Sequence, residues 1–340
     1  MNASNRVRSA LSSRTITCKL YDAQGHDKSS DLPAVLPQLE AHQLLWIKAI
    51  KPSEAELGEL QKLLSLDSES VAELSRSDRR LALNNYEDYF HLDVLTIPHH
   101  ADKDATRLEP PKVVRLDFIA GENWLLTVTP EKVDFLDDFT EQYRGETTIG
   151  GLSAASFAAA ILDWHLTAFL DALEQVEEFV DRLDARLLKG DVQDDSLLTE
   201  VQTGRRYISV LRRSLAPQRV IFYGMSRPDF SRTESASHHF NALERRFDRV
   251  VDAVEHGREL VQGTFDLFDA QVANTTNMLI RRLTFLSIML ATIGAVAGIF
   301  GMNFETPYTA TGVVGFWLVI AALICFALAA ALVGRWRKWI

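Results

Sequence analysis

The chain has 340 residues, enough for two or three domains, and its 47% hydrophobic content is ordinary for a globular protein. Its 36 basic and 46 acidic side chains give a formal net charge of −10, which argues against nucleic acid as a partner and suits an acidic, cation-tolerant surface. Two cysteines, Cys18 in a strand-like segment and Cys325 in an apolar run, predict no disulfide, and the large N-terminal part fits a reducing compartment.

The first 20 residues hold no apolar stretch, so no cleavable signal peptide is expected and membrane insertion has to rest on the C-terminal segments. From about Arg14 to about Phe139 the pattern alternates strands with short helices and predicts an N-terminal α/β domain within an α+β chain. Strands are expected over 15–22, 42–50, 86–97, 112–120 and 123–131, the last two joined by a hairpin turn at Gly121-Glu122-Asn123. Ser53 and Glu56 form a capping box that opens a helix reaching about Leu64. No phosphate-cradling glycine loop and no nucleophile elbow occurs, so the chain does not read as an enzyme, and no cofactor is implied. The pairs His99-His100 and His238-His239 lack further ligands at metal spacing and read as loop or capping residues.

From about Ser153 everything reads helical. One helix runs to Lys189 and breaks at Gly190-Asp191, in an acidic turn (190–195) that reads as solvated. A second spans about Asp195 to Met225 and stops near Arg227-Pro228. The third begins near Ser235 and meets no proline before the apolar C-terminal part. Its residues Phe240, Leu243, Phe247, Val250 and Val254 are spaced 3, 4, 3 and 4, a coiled-coil seam. Continued into the apolar part, that helix would have about 65 residues and a length of about 98 Å at 1.5 Å per residue. A helix so long needs partners along its length: the seam points to an oligomer, with pairing inside one chain as the alternative.

Charge then disappears. Between Leu283 and Gly334 the only charged residue is Glu305. Two stretches within it, 283–302 and 312–334, are each long enough for a spanning helix, which needs roughly 20 apolar residues. The chain therefore divides into 1–150, an α/β domain; 151–282, a region of long helices; and 283–340, a membrane domain. Arg281 and Arg282 precede the first span, and Arg335, Arg337 and Lys338 follow the second, so both termini are expected in the cytoplasm and the chain in the cell (inner) membrane. Trp317, Trp336 and Trp339 lie where an aromatic belt would sit. Steps of three or four residues from Asp266 reach Ala270, Ala273, Asn277, Ile280, Thr284, Ser287, Ala291, Gly294 and Gly298, a stripe that stays small or polar where it crosses the bilayer. A lipid-facing stripe needs no such residues. Gly294 and Gly298 also form a GxxxG pair, whose plain reading is close helix packing.

At the outer end of the first span stands Gly301-Met302-Asn303, followed by Glu305. With its flanks (AGIFGMNFE), the second span close behind, the basic C-terminus RWRKWI and the stalk segment FDLFDAQVANTTNMLIRRLT, it resembles the CorA family of divalent-cation transporters of the GMN type. The segment RRYISVLRRSLAPQR looks like the family's ZntB-like zinc-transporting branch. The resemblance implies a funnel-shaped homopentamer whose first spans line a central pore. It also implies Mg²⁺, with Co²⁺ or Ni²⁺ admitted, as the transported ion, or Zn²⁺, with or without coupling to protons, if the ZntB-like features prevail. By position it places Gly301, Met302, Asn303 and Glu305 at the pore entrance and Asp266, Asn277, Ile280, Leu283 and Gly294 along the pore, with Ile280 and Leu283 as a gate. Asn303 is the station for a hydrated ion and Asp266 a second metal station. The expected partners are further copies of the chain, membrane lipid and divalent cations. Against this stands a reading of another class, a membrane-anchored scaffold or sensor.

Overall fold

The computed structural model describes residues 15–30, 39–76, 80–99, 108–189, 195–230, 234–302 and 312–336. The chain falls into two compact units, one formed by 1–183 and 196–264, the other by 184–195 and 265–340.

The first unit is built on a seven-stranded sheet. Its strands are β1 (Ile16–Asp22), β2 (Lys28–Ser30), β3 (Gln43–Ile50), β4 (Leu83–Asn85), β5 (Phe90–Thr96), β6 (Val114–Ala120) and β7 (Trp124–Thr129). They lie in the order β2-β1-β3-β7-β6-β5-β4, and only β3 and β7 run parallel. The sheet is thus mainly antiparallel, as an α+β chain allows, and its central strands are apolar on both faces because helices cover both. The β6–β7 hairpin forms where expected: Gly121 N–H donates to Trp124 O at 3.0 Å. A Cβ on Gly121 would lie 2.3 Å from the Trp124 ring, so the turn requires glycine there.

Five helices follow the strands through the sheet region: α1 (Glu54–Leu64), α2 (Ser68–Leu74), α3 (Asp134–Gln142), the one-turn α4 (Thr147–Gly150) and the 35-residue α5 (Ala154–Leu188). The capping box is present, with Ser53 N–H donating to Glu56 Oε2 at 2.7 Å and Glu56 N–H to Ser53 Oγ at 3.3 Å. Helix α6 (Asp195–Leu215) ends in a short 3-10 turn at Ala216–Gln218, where Pro217 removes a donor, and the chain continues as α7 (Arg219–Met225). Helix α8 (Glu234–Gly301) has 68 residues, and α9 (Gly312–Trp336) has 25.

One face of the sheet shares a core with α5, α6, α7 and the first part of α8. Trp46 sits at its middle, edge-on to Phe139 and Phe157, with its indole N–H donating to Thr127 Oγ1 at 3.1 Å. The other face is closed by α1 through Leu57, Leu60 and Leu64. The heptad-like seam is part of the first core. Phe240, Leu243, Phe247, Val250 and Val254 are all at least 96% buried within the single chain, and the Phe247 ring stacks on Phe222 of α7 at 4.4 Å. The seam is filled by the chain's own helices, the intrachain alternative, and so gives no support to an oligomer.

Among the described residues three helices are long and apolar enough to cross a membrane by length and composition: α5, α8 and α9. The apolar window of α5 is 61% buried inside the chain, whereas no residue of the windows of α8 and α9 is buried, so α5 is a core helix and the other two carry the spans.

A buried histidine joins α5 to the sheet and to the 3-10 turn. Gln218 Nε2 donates to Leu95 O at 2.8 Å and to Ser214 O at 2.9 Å, which leaves its Oε1 to accept from His165 Nε2 at 2.9 Å. His165 Nδ1 then accepts from Thr96 Oγ1 at 3.0 Å, so the ring is neutral. Burial pushes the His165 pKa down to about 4. Because the folded value lies below the unfolded one, the stability it contributes is complete above pH 6.5 and is lost as pH falls toward 4, by up to roughly 3 kcal/mol. The thermal-unfolding midpoint is expected to fall across that window, and to fall less in a His165→Gln variant. Equal slopes in the two proteins would show that other groups control acid unfolding.

Candidate functional site

The second unit contains the part of α8 from Phe265 onward together with α9. Between Leu283 and Gly301 no ionisable residue occurs on α8, and its only interior polar side chains are hydroxyls. Thr292 returns its hydroxyl to Ile288 O at 2.8 Å, which satisfies it within the helix and lets it sit in a bilayer.

The two faces of this helix are distinct. Between Leu283 and Gly301 the half-buried positions are Phe285, Met289, Thr292, Ile293 and Val296. Phe285 and Met289 line, with Phe326 and Ala330 of α9, a cavity of about 440 Å³ that also touches Arg281, Thr284 and Ile288. This is the face turned to the second span. At roughly 100° per residue, the stripe running through Asn277, Ile280, Thr284, Ser287, Ala291, Gly294 and Gly298 lies on average about 150° around the helix from the half-buried positions, with Thr284 at the edge of the cavity. All of these stripe residues are exposed in the single chain.

The residues expected in the pore are therefore distributed as follows. Asp266, Asn277, Ile280 and Gly294 share the stripe, and all are exposed. Leu283 follows Ile280 by three residues and is 66% exposed, beside 57% for Ile280, so both present large apolar groups to the outside of the chain. Nothing lies within 4 Å of a Cβ placed on Gly294, Gly298 or Gly301, so the GxxxG pair makes no close packing inside the chain. Met302 ends the helix, with its N–H donating to Ile299 O at 3.4 Å. Asn303 and Glu305 lie outside the described residues, as do Arg337, Lys338, Trp339, His100 and the acidic turn 190–194. Trp317 and Trp336 are exposed on α9.

A family model described as CorA-like Mg2+ transporter protein matches residues 41–335. The chain belongs to this family.

CorA-like relatives match over much of the chain. The cobalt/magnesium transport protein CorA of Thermotoga maritima is 22% identical over 320 residues, covering 92% of this chain and 88% of its own. The complete structure of the CorA magnesium transporter from Methanocaldococcus jannaschii superposes with a TM-score of 0.77 at 19% identity, covering 96% of this chain and 99% of the other. The ZntB cytoplasmic domain from Vibrio parahaemolyticus gives 0.59 at 14% identity, covering 76% of this chain and 99% of that domain. At these identities the structures establish the fold: a mixed α/β N-terminal part, long helices and apolar C-terminal helices. Both parts of the resemblance read from the sequence, CorA and ZntB, are thereby met, and the family is one of transporters rather than enzymes.

In this CorA-like chain two acids of the part of α8 within the first unit, Asp248 and Glu255, are engaged by neighbouring side chains. Asp248 accepts from Tyr223 Oη at 2.9 Å, and Glu255 receives Arg212 Nε at 3.2 Å and Arg258 Nε at 3.3 Å. Among the described residues no group of three or more His, Cys, Asp or Glu side chains could hold a metal ion. His99 Nδ1 lies 3.3 Å from Asp134 Oδ2 and His239 Nδ1 lies 3.1 Å from Ser156 Oγ, both local contacts.

Sequence reasoning passed over a second feature of the helices. Arg205, Arg206, Arg212 and Arg213 share one exposed face of α6 and line a cavity of about 460 Å³ with Ser209 and with Arg258 of α8. Their repeat at i, i+1, i+7 and i+8 was legible in the sequence as a one-sided basic face; the contribution of Arg258, some 50 positions away, was not.

Proposed function

We propose that copies of this chain assemble around an axis, five by the family resemblance, and conduct divalent cations along the stripe of α8, with Gly301, Met302 and Asn303 at the outer entrance. The observation that carries this reading is the stripe itself. It is small or polar through an otherwise apolar helix, it lies mostly off the half-buried face, with Thr284 alone also lining the cavity against the second span, and its residues are exposed among the described residues of the single chain. A hydrocarbon environment gives no reason for Asn277, Thr284, Ser287 and two glycines on one line, whereas a water-filled axis does.

The chemistry suits a hydrated ion. Mg²⁺ gives up its water reluctantly, and a ring of Asn303 carbonyls can accept hydrogen bonds from the hydration shell without trapping the ion. Glu305 concentrates cations at the mouth, and Asp266 and Asn277 provide polar stations below the apolar ring of Ile280 and Leu283, which gates by dewetting. Two charges moving inward across 100 mV gain roughly 4.6 kcal/mol, so no further energy source is required. Arg281, Arg282 and Arg335 flank the spans on the side that becomes cytoplasmic, with the chain in the cell membrane.

Mg²⁺, with Co²⁺ or Ni²⁺ admitted, is the cargo this site fits best. The stripe offers neither thiolate nor imidazole, so ligand softness selects no zinc; the ZntB-like helix segment is what keeps Zn²⁺ as the second reading. Uptake by the purified protein in liposomes, followed with entrapped Mg²⁺- and Zn²⁺-sensitive dyes, tests both. Wild-type Mg²⁺ influx is expected to drop by at least about tenfold in Asn303→Ala. Zn²⁺ influx alone would assign the chain to the zinc branch, and no influx of either ion would leave the scaffold reading standing.

A further inference from the structure

The cavity of about 440 Å³ between α8 and α9 lies within the membrane segment, and Thr284 is the one residue it shares with the stripe. Its polarity changes in a single direction. Arg281 stands at one end, and Thr284 follows about 4.5 Å deeper at 1.5 Å per residue. Phe285, Ile288 and Met289 then carry the wall to a depth of about 12 Å, and α9 adds only Phe326 and Ala330. One leaflet contributes about 15 Å of hydrocarbon, half of the 30 Å core, so the cavity runs through most of a leaflet. Arg335 follows Ala330 by about 7.5 Å of helix, which puts Arg281, Arg282 and Arg335 at the same end of the two spans. Between Asp269 and the outer Glu305 the sequence has no acidic side chain, and none occurs after Glu305. Asp269 itself lies about 18 Å of helix before Arg281. The spans therefore supply no carboxylate to answer these arginines.

We propose that this cavity holds an acyl chain of one anionic phospholipid, whose headgroup phosphate sits on Arg281. The order of the lining groups is the order of groups along that molecule. A guanidinium fork takes two phosphate oxygens, the Thr284 hydroxyl stands at the level of the glycerol esters, and the apolar remainder takes the chain. An apolar hollow open to hydrocarbon forfeits dispersion contacts if it stays empty, and below Thr284 water finds no polar partner in its walls. A basic residue at the headgroup end of a cleft between spans favours an anionic lipid. A zwitterionic lipid already sets its own ammonium group against its phosphate and gains less from Arg281. A second copy of the chain is the weaker occupant. In the proposed assembly, on which this step alone rests, copies meet along the stripe, about 150° around α8 from the half-buried positions.

Native mass spectrometry of the full-length protein in detergent, titrated with phosphatidylglycerol or with phosphatidylethanolamine of equal chain length, tests this. The expected result is saturable uptake of one phosphatidylglycerol per chain, about fivefold tighter than phosphatidylethanolamine. Arg281→Gln is expected to remove that preference. Ala330→Phe fills the hollow without changing its charge and is expected to weaken both lipids at least about tenfold. The control Arg335→Gln removes a charge from the same end of the spans but outside the cavity lining, and should change either affinity less than about twofold. Uptake that never saturates, or equal weakening by Arg281→Gln and Arg335→Gln, reduces binding to general attraction by a basic surface and overturns the site. Equal wild-type affinity for the two lipids contradicts the anionic class. An Ala330→Phe protein that keeps its lipid shows that the chain lies elsewhere, and one with a changed subunit number assigns the cavity to a neighbouring copy. Arg281→Gln leaves the packing between the spans untouched, so it decides the matter where Ala330→Phe fails to fold. None of these readouts involves ion flux, so the inference and the transport reading fail separately.

Discussion

Tryptophan at Gly294 is expected to abolish cation uptake while leaving the protein assembled. The position faces open space, carries no Cβ and lies on the stripe that runs mostly off the half-buried face. Copies of an indole around an axis would fill the proposed path, and influx into liposomes should fall by at least about tenfold. Leu286→Trp is the matched control. Leu286 is 48% exposed but stands about 130° from the mean direction of the stripe and about 80° from Gly294 itself, so uptake should stay within about twofold of wild type. The GxxxG reading makes a different forecast: if Gly294 and Gly298 exist to let a neighbouring copy approach, tryptophan separates the helices and the detergent-solubilised mass drops. Lost flux at unchanged mass supports a pore on this face. Lost mass assigns the glycines to packing, and unimpaired flux at unchanged mass removes the stripe from the permeation path.

Much of this arrangement was legible in the residues. The two spans follow from the absence of charge after Arg282, the hairpin from Gly121-Glu122-Asn123, the helix start from Ser53 and Glu56, and the long third helix from the lack of any proline between Ser235 and the first span. These are local signals, each carried by a few neighbouring residues. What escaped is short or distant in sequence. Strands β2 and β4 have three residues each, too few to show a period of two, and both lie at the sheet edge. Helix α3 opens at Val133, which offers no capping side chain, and it lacks the start signal that announced α1. The His165–Gln218 contact joins residues 53 positions apart, and only the fold brings them together. The candidate site divides in the same way. Its stripe was readable as a period on one helix, but the direction of that stripe relative to α9 depends on Phe285, Met289, Phe326 and Ala330 meeting across two helices.

The seam of α8 shows how a correct periodicity can point to the wrong partner, and it yields a sharp expectation. Spacing of 3 and 4 says only that one face is apolar; it does not say whose surface covers that face. Here Phe222 of α7 supplies the cover for Phe247, with the rings nearly parallel at an angle of 14°. Truncating a fully buried Phe to Ala costs about 3–5 kcal/mol, so Phe247→Ala should lower the thermal-unfolding midpoint by several degrees. If the seam is intrachain, that loss is independent of protein concentration and the subunit number stays as in wild type. A seam shared between copies would instead give a midpoint that falls further on dilution, because assembly and folding would then be linked by mass action. A concentration-independent loss leaves the exposed stripe beyond Phe265 as the surface through which copies meet; a loss that deepens on dilution returns the seam to the interface and weakens the case for that stripe.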